Sequence, residues 1–132
     1  MCVFCKIVEG SIPAYKIYED SDILAFLDIS QVTIGHTLVI PKKHYENIFE
    51  LDEKTAATLY EKVVGVAKML KQKLGINDLN ILNNNGKLAY QSVGHYHIHL
   101  LPRYENDEFK INFPTNKLTD KEFKDLMNKI TN

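Results

Sequence analysis

At 132 residues with 45% hydrophobic side chains, the chain is long enough for one well-filled core and too short for two domains. Sixteen basic against seventeen acidic residues leave a formal charge of −1, which excludes the basic footprint of a non-specific nucleic-acid or membrane-surface binder. No apolar run approaches the ~18 residues of a membrane span, and the opening MCVFCKIVEG lacks the basic region and long apolar stretch of a signal peptide, so a cytoplasmic protein is expected.

Cys2 and Cys5 form a C-x-x-C at the N-terminus. A bridge there closes a very small loop and adds little stability, so a structural disulfide is not expected. A redox pair usually follows a strand, and one upstream residue cannot supply one. Half of a zinc site remains, with two further ligands needed from elsewhere. Phe4, Ile7 and Val8 recur at helical spacing up to Gly10, which predicts a short N-terminal helix before Pro13 forces extension. YKIYE and ILAFLD flank the polar turn Asp20-Ser21-Asp22 and read as a hairpin. GHTLVIPK is a β-branched strand opened by Gly35 and stopped by Pro41.

The period then changes. Ala56, Leu59, Val63, Val66, Ala67, Leu70 and Leu74 trace one helical face, with Asp52 as N-cap and Gly75 just past the end. LNILN is a further strand, and NNNGKLAY a polar loop whose Asn and Gly residues suit turns. The histidine-bearing run QSVGHYHIHLLPR follows. A capping box, Thr119 to Glu122, precedes Phe123, Leu126, Met127 and Ile130, so a closing helix is expected. Hairpins with one long helix indicate an α+β fold: an antiparallel sheet with the long helix packed on a face, plus short N-terminal and C-terminal helices.

Three of five histidines, His95, His97 and His99, stand at alternate positions. Such alternation is the signature of a half-buried strand, which puts all three imidazoles on one face, about 6.7 Å apart at ~3.3 Å per residue. His36 and His44 bracket the strand HTLVIPKKH. Five imidazoles and two thiols can serve both a Cys₂His₂ zinc site and a phosphate site. Neutral imidazole is a competent nucleophile near pH 7, and charged imidazole a donor for phosphate oxygens. Gln91, Ser92, Asn84 and the NNNG loop offer neutral donors nearby.

QSVGHYHIHLL resembles the motif of the histidine-triad (HIT) family, His-x-His-x-His with two apolar residues after it and Gln-Ser-Val ahead. FCKIVEGSIPAYKIYEDSDILAFLDI, GHTLVIPKKH and the Asn-Gly loop fall in the family's order, and the likeness is to the bacterial Hint-type branch with an N-terminal C-x-x-C. It implies a single HIT domain over 1–132, with its motif-bearing part in about 2–104 and a tail, 105–132, outside the family pattern.

The resemblance further implies a nucleotidyl hydrolase or transferase acting at the α-phosphate of purine nucleoside phosphoramidates or related adenylated compounds. His97 matches the nucleophile, and His99 and His36 match positions beside the phosphate. Ser92 and Gln91 match the segment facing the leaving group. Asp28 matches the carboxylate on the ribose hydroxyls, Asn84 a polar contact near phosphate or ribose, and Ile29, Phe4, Ile7 and Leu38 the base pocket. Cys2, Cys5, His44 and His95 match a structural zinc site. A homodimer is implied as well.

Gly94 stands where an aromatic often precedes the triad, and LPRYENDEF replaces the Trp-bearing end of the eukaryotic Hint proteins. The LPR ending is shared with the dinucleoside-polyphosphate branch, so hydrolysis of Ap4A-type compounds is the close alternative. A nucleotide-binding interaction module with incidental catalysis, and a zinc hydrolase whose metal sits on the triad itself, are the readings from other classes.

Overall fold

The structure, a computed structural model, describes residues 2–132. Helix α1 (Val3–Glu9) starts at Cys2, whose Sγ accepts the Cys5 N–H at 3.2 Å, and stops at Gly10 in the left-handed region. Strands β1 (Lys16–Glu19) and β2 (Ile23–Leu27) are joined through Asp20, whose Oδ1 accepts from the amides of Asp22 and Ile23 at 2.8 Å each. Strand β3 (Thr37–Pro41) follows, then the long helix α2 (Glu53–Leu74). The Asp52 cap accepts from both Thr55 N–H and the Tyr45 hydroxyl, bonds that hold its carboxyl down at about 2. Strands β4 (Asp78–Leu82) and β5 (Ile98–Arg103) complete the sheet, and α3 (Asp120–Thr131) carries the expected capping box.

The five strands lie in the order β1-β2-β3-β5-β4, every neighbouring pair antiparallel. Side chains alternate across the sheet, so one sequence supplies two cores. On one face Leu59, Val63, Val66 and Leu70 of α2 pack on Ile23, Ala25, Val39, Ile98 and Leu100. Full burial of each such side chain contributes roughly 1.5–3 kcal/mol, which anchors the helix. On the other face Phe4 and Ile7 of α1 cover Leu24, Phe26, Leu38 and Ile40. Leu74, expected on the buried face of α2, is 42% exposed at the helix end.

The histidine run departs from its expected form. Strand β5 begins at Ile98, so only His99 belongs to it, and His95 and His97 lie in the segment leading in. The ladder to β3 ends at the Val39–Ile98 pair. Pro41 has no N–H with which to extend it, and the Tyr96 N–H donates instead to the Tyr45 carbonyl at 2.6 Å. The run is also buried on both sides rather than half-buried: Tyr96 and Ile98 join the α2 core while His95 and His97 are covered on the α1 side. Alternation of faces survives without the strand.

Helix α3 does not close the core. Its apolar residues Phe123, Leu126, Met127 and Ile130 are between 45% and 73% exposed. What ties the tail down lies earlier. Arg103 donates to Asp107 through Nε and Nη2 at 2.9 Å each, to Asn80 at 2.7 Å and to the Phe109 carbonyl at 2.8 Å.

Candidate metal centre and active-site cleft

The four residues of the expected metal site come together from three segments. His44 Nδ1 and His95 Nδ1 are 3.2 Å apart, and each lies 3.3–3.6 Å from Cys2 Sγ and Cys5 Sγ. Tetrahedral coordination with bonds of ~2.3 Å to sulfur and ~2.05 Å to nitrogen gives S···N edges of ~3.5 Å and an N···N edge of ~3.3 Å. The donor set therefore fits a tetrahedral metal ion. Its electrostatics agree: burial and the adjacent Cys2 push the Cys5 thiol up, a cost that a bound cation removes. His95 Nε2 donates to the Pro41 carbonyl at 2.8 Å, which leaves the Nδ1 lone pair for the metal.

The triad is thus divided, and a single metal ion on its three rings is not what the structure forms. The His95 ring turns to the cysteines. The His97 ring donates Nδ1–H to the His95 carbonyl at 2.7 Å, so its Nε2 carries the free lone pair. Burial lowers the pKa of His97, and this ring is neutral at pH 7. His99 Nδ1 lies 2.9 Å from His36 Nε2, and Asp28 Oδ2 is 3.6 Å from the same His36 nitrogen. Burial, with His97 and His36 nearby, pushes His99 down to about 4, and burial also lowers His36. Neutral imidazoles thus face a carboxylate across a few ångströms.

The loop between β2 and β3 sets this geometry. Asp28 Oδ1 accepts the Ser30 N–H at 2.8 Å, and the Asp28 N–H donates to the His36 carbonyl at 3.0 Å. Gln31 spans the loop, its Oε1 accepting from Gly35 N–H and its Nε2 donating to the His36 carbonyl, both at 2.8 Å. Gly35 has φ +96°, a value that favours glycine.

A cleft of about 540 Å³ opens beside these groups, lined by Phe4, Ile7, Leu38, Asp28, Ile29, Ser92 and His97. Its apolar end is built by α1 against the sheet, and Phe4 meets the His97 ring edge-on, centroids 5.2 Å apart. Ile29 stands at the rim, 87% exposed. Val3, Ile12, Pro13, Ala14, Tyr15 and Val93 also line the cleft, and sequence reasoning did not single them out. All but Val93, which lies in the segment ahead of His95, follow from α1 and the extension after it, where apolar residues read as ordinary core.

Four sequence candidates are not among the cleft's lining residues: His36 and His99, whose facing nitrogens lie 2.9 Å apart, and Gln91 and Asn84. Gln91 spends its amide on the loop, accepting from Gly86 N–H and donating to the carbonyls of Glu46 and Val93, and it does not line the cleft. Asn84 is not among the lining residues either. Its neighbours carry the polar work: Asn83 Nδ2 donates to the His97 carbonyl at 2.9 Å, and Asn85 bridges Asn83 Oδ1 and the Ile48 N–H. Three consecutive asparagines beside a strand were the only signal for them.

The HIT domain model matches residues 9–106. A crystal structure of a HIT family member from Bacillus subtilis superposes with a TM-score of 0.93 at 45% identity, covering 98% of this chain and 94% of that one. A Zn-bound histidine triad family protein from Mycobacterium smegmatis is 39% identical, with a TM-score of 0.78 over 87% of this chain and 84% of that one. Adenosine 5′-monophosphoramidase hnt1 of Schizosaccharomyces pombe is 37% identical over 98% of this chain and 96% of its own. Sequence and fold therefore agree from nearly end to end, and the chain belongs to the HIT domain family.

Proposed function

We propose that the protein hydrolyses purine nucleoside 5′-phosphoramidates, or related adenylated compounds, through a nucleotidyl intermediate on His97. One observation carries this reading: the His95 carbonyl takes the Nδ1 proton of His97, so a neutral Nε2 lone pair stands in a cleft that is apolar at one end and has Asp28 and Ser92 among its lining groups. The base lies among Phe4, Ile7, Ile29 and Leu38, and Asp28 takes the ribose hydroxyls. Nε2 attacks the α-phosphorus and the bond to the leaving amine breaks. That amine takes a proton from water relayed through Ser92. His36 and His99 hold the non-bridging oxygens. Water then attacks phosphorus and gives its proton to the hydroxide left when the amine was protonated, the P–Nε2 bond breaks, and nucleoside monophosphate leaves with His97 neutral again. The phosphoramidase name of the yeast relative supports this substrate class. The test compares kcat/KM on adenosine 5′-phosphoramidate and diadenosine polyphosphates, and traps acid-quenched enzyme for mass spectrometry. A nucleotidyl group on His97 is expected; label on another residue, or hydrolysis with none, overturns the mechanism. His97→Ala is expected to lower kcat roughly 10⁴-fold.

Zinc is the metal we assign to Cys2, Cys5, His44 and His95, on the tetrahedral fit and the Zn-bound relative. When bound it closes a structural site and holds α1 against the cleft. Reduced thiols suit a cytoplasmic protein. Among the described residues no helix is long and apolar enough to cross a membrane. We assign a homodimer formed by β4 edges. Strand β1, the opposite edge, is protected by an irregularity and by Lys16 and Glu19, whereas β4 is regular and exposes Ile81 and Leu82. We place Tyr60 and Val64 of α2, 51% and 42% exposed, in the same interface.

A further inference from the structure

We infer that Tyr90 lines a subsite for the leaving group, and that it selects phosphoramidates whose amine carries a planar aromatic ring. This rests on the proposed function and adds to it the class of amine. Among the described residues Tyr90 is the one residue other than glycine with a positive φ, at φ +63° and ψ +30°. A residue with a Cβ is strained there, and glycine is what the backbone favours. Burial does not offset that cost, since Tyr90 is 87% exposed. The fold itself gains nothing from tyrosine at this position.

The surrounding loop fixes the conformation. The Tyr90 N–H donates to the Lys87 carbonyl and the Gln91 N–H to the Gly86 carbonyl, both at 3.1 Å, while the Gly86 N–H donates to Gln91 Oε1 at 2.8 Å. Gln91 Nε2 also donates to the carbonyls of Glu46 at 2.7 Å and Val93 at 3.0 Å, and Asn85 Oδ1 accepts the Ile48 N–H at 2.7 Å. The loop is thus closed on itself and fastened to the segment ahead of α2. Backbone strain that neighbouring bonds over-determine collects where ligands are handled. A ring carried on such a backbone has only two side-chain torsions to lose when a ligand meets it.

The chain places that ring beside the leaving group. Ser92 and Val93 line the cleft. Two residues separate Tyr90 from Ser92, so their Cα atoms lie within about 7 Å of each other. Phe4, Ile7, Ile29 and Leu38 are assigned to the base and Ser92 to the departing amine, so the substituent on that amine is what meets Tyr90. Phe49 and Leu88, 86% and 98% exposed, sit on the two fastened loops and make the surroundings apolar. Aromatic rings pack on tyrosine face-to-face with an offset or edge-on, with a gain beyond the area they cover. A saturated or very small amine lacks that gain.

Binding, read apart from turnover, tests the subsite. His97→Ala protein, in which the P–N bond survives, is titrated calorimetrically with the N-benzyl and the N-cyclohexylmethyl 5′-phosphoramidates of adenosine, whose amines match in size and differ in planarity. The benzyl compound is expected to bind about fivefold more tightly, as a ring–ring contact allows. Tyr90→Phe in the same background is expected to keep that preference and Tyr90→Gly to abolish it. Urea unfolding of Tyr90→Gly is expected to give a higher midpoint, because the strain is relieved and little burial is lost. Equal affinities for the two compounds, a preference that survives Tyr90→Gly, or a lower midpoint overturns the inference. So does a shift of Tyr90→Gly toward monomer in sedimentation equilibrium, which gives the exposed ring to a second copy of the chain instead. If neither compound binds, the proposed function fails and the subsite with it; if both bind equally, the subsite alone fails.

Discussion

Gly35 immediately precedes His36 and joins the β2–β3 loop to β3, which makes Gly35→Ala a direct test of how tightly that corner is built. Its φ of +96° strains any residue with a Cβ, at about 1–2 kcal/mol. The added Cβ also meets Leu74 Cδ1 at 2.6 Å and Pro102 Cγ at 3.1 Å. Leu74 is 42% exposed and its terminal methyl can swing away at little cost. Pro102 cannot, being a fully buried ring in β5, so the strand or the loop must give by a few tenths of an ångström. Overpacking of that kind adds about 1 kcal/mol, giving roughly 2–3 kcal/mol in all. Gly10→Ala is the control: φ is +90° but nothing lies within 4 Å of the new Cβ. It is expected to lose only the backbone part, about 1–2 kcal/mol. Urea unfolding followed by circular dichroism, with m held common, reads both variants. At an m of ~1.5 kcal/mol per molar, Gly35→Ala should lower the midpoint by ~1.3–2 M. Equal midpoints for the two variants would refute the close-approach argument, and a loss below about 0.5 kcal/mol in both would refute the backbone one.

Cys5→Ser is expected to lower the melting temperature by several degrees and raise KM, with kcat far less affected than by His97→Ala; metal-free protein of full stability, or equal kcat losses, would contradict the structural role of the metal. His99, pushed down to about 4 from an ordinary 6.5, binds a proton more readily in the unfolded chain. Its contribution to stability is therefore complete above about pH 6.5 and lost as the pH falls toward 4. Unfolding midpoints measured from pH 7 to 4.5 should decline, and His99→Gln should flatten part of that slope. Arg103→Gln removes the bonds to Asp107 and Phe109 and is expected to speed proteolysis of residues 104–110 with kcat unchanged; an unaltered cleavage rate would mean the tail is held otherwise. Sedimentation equilibrium should give about twice 15.2 kDa, and Ile81→Lys on the β4 edge should shift it toward monomer.

Most elements were legible because local signals and tertiary packing agree. Asp52 and Gly75 cap α2, and Asp20 makes the hairpin turn, as their side chains or backbone freedom require. The cleft was less legible than its histidines. Phe4 and Ile7 look like core from sequence and are core, but the same packing makes them its wall. The strand boundary at Ile98 could not be read, because it depends on Pro41 having no N–H to offer a segment some fifty residues away. The apolar face of α3 reads as buried by periodicity alone, while in the single chain its residues lie exposed. Periodicity reports that a face has been kept apolar and not what it meets. Asn83 was hidden for a different reason: an amide bonded to a main-chain carbonyl leaves no trace in residue type beyond polarity.

His95 faces two ways, its ring toward the cysteines and its carbonyl toward the His97 proton. An alanine scan that scored only turnover would place His95 beside His97, although it does not line the cleft. The coupling also constrains sequence drift. Cys2, Cys5 and His44 can be exchanged for another arrangement, even an apolar one, provided the replacement still pins one main-chain oxygen. Changes at Cys2, Cys5, His44 and His95 are therefore expected to be tolerated as a set and poorly one by one, because what they hold in place is a carbonyl that no substitution at residue 95 can delete.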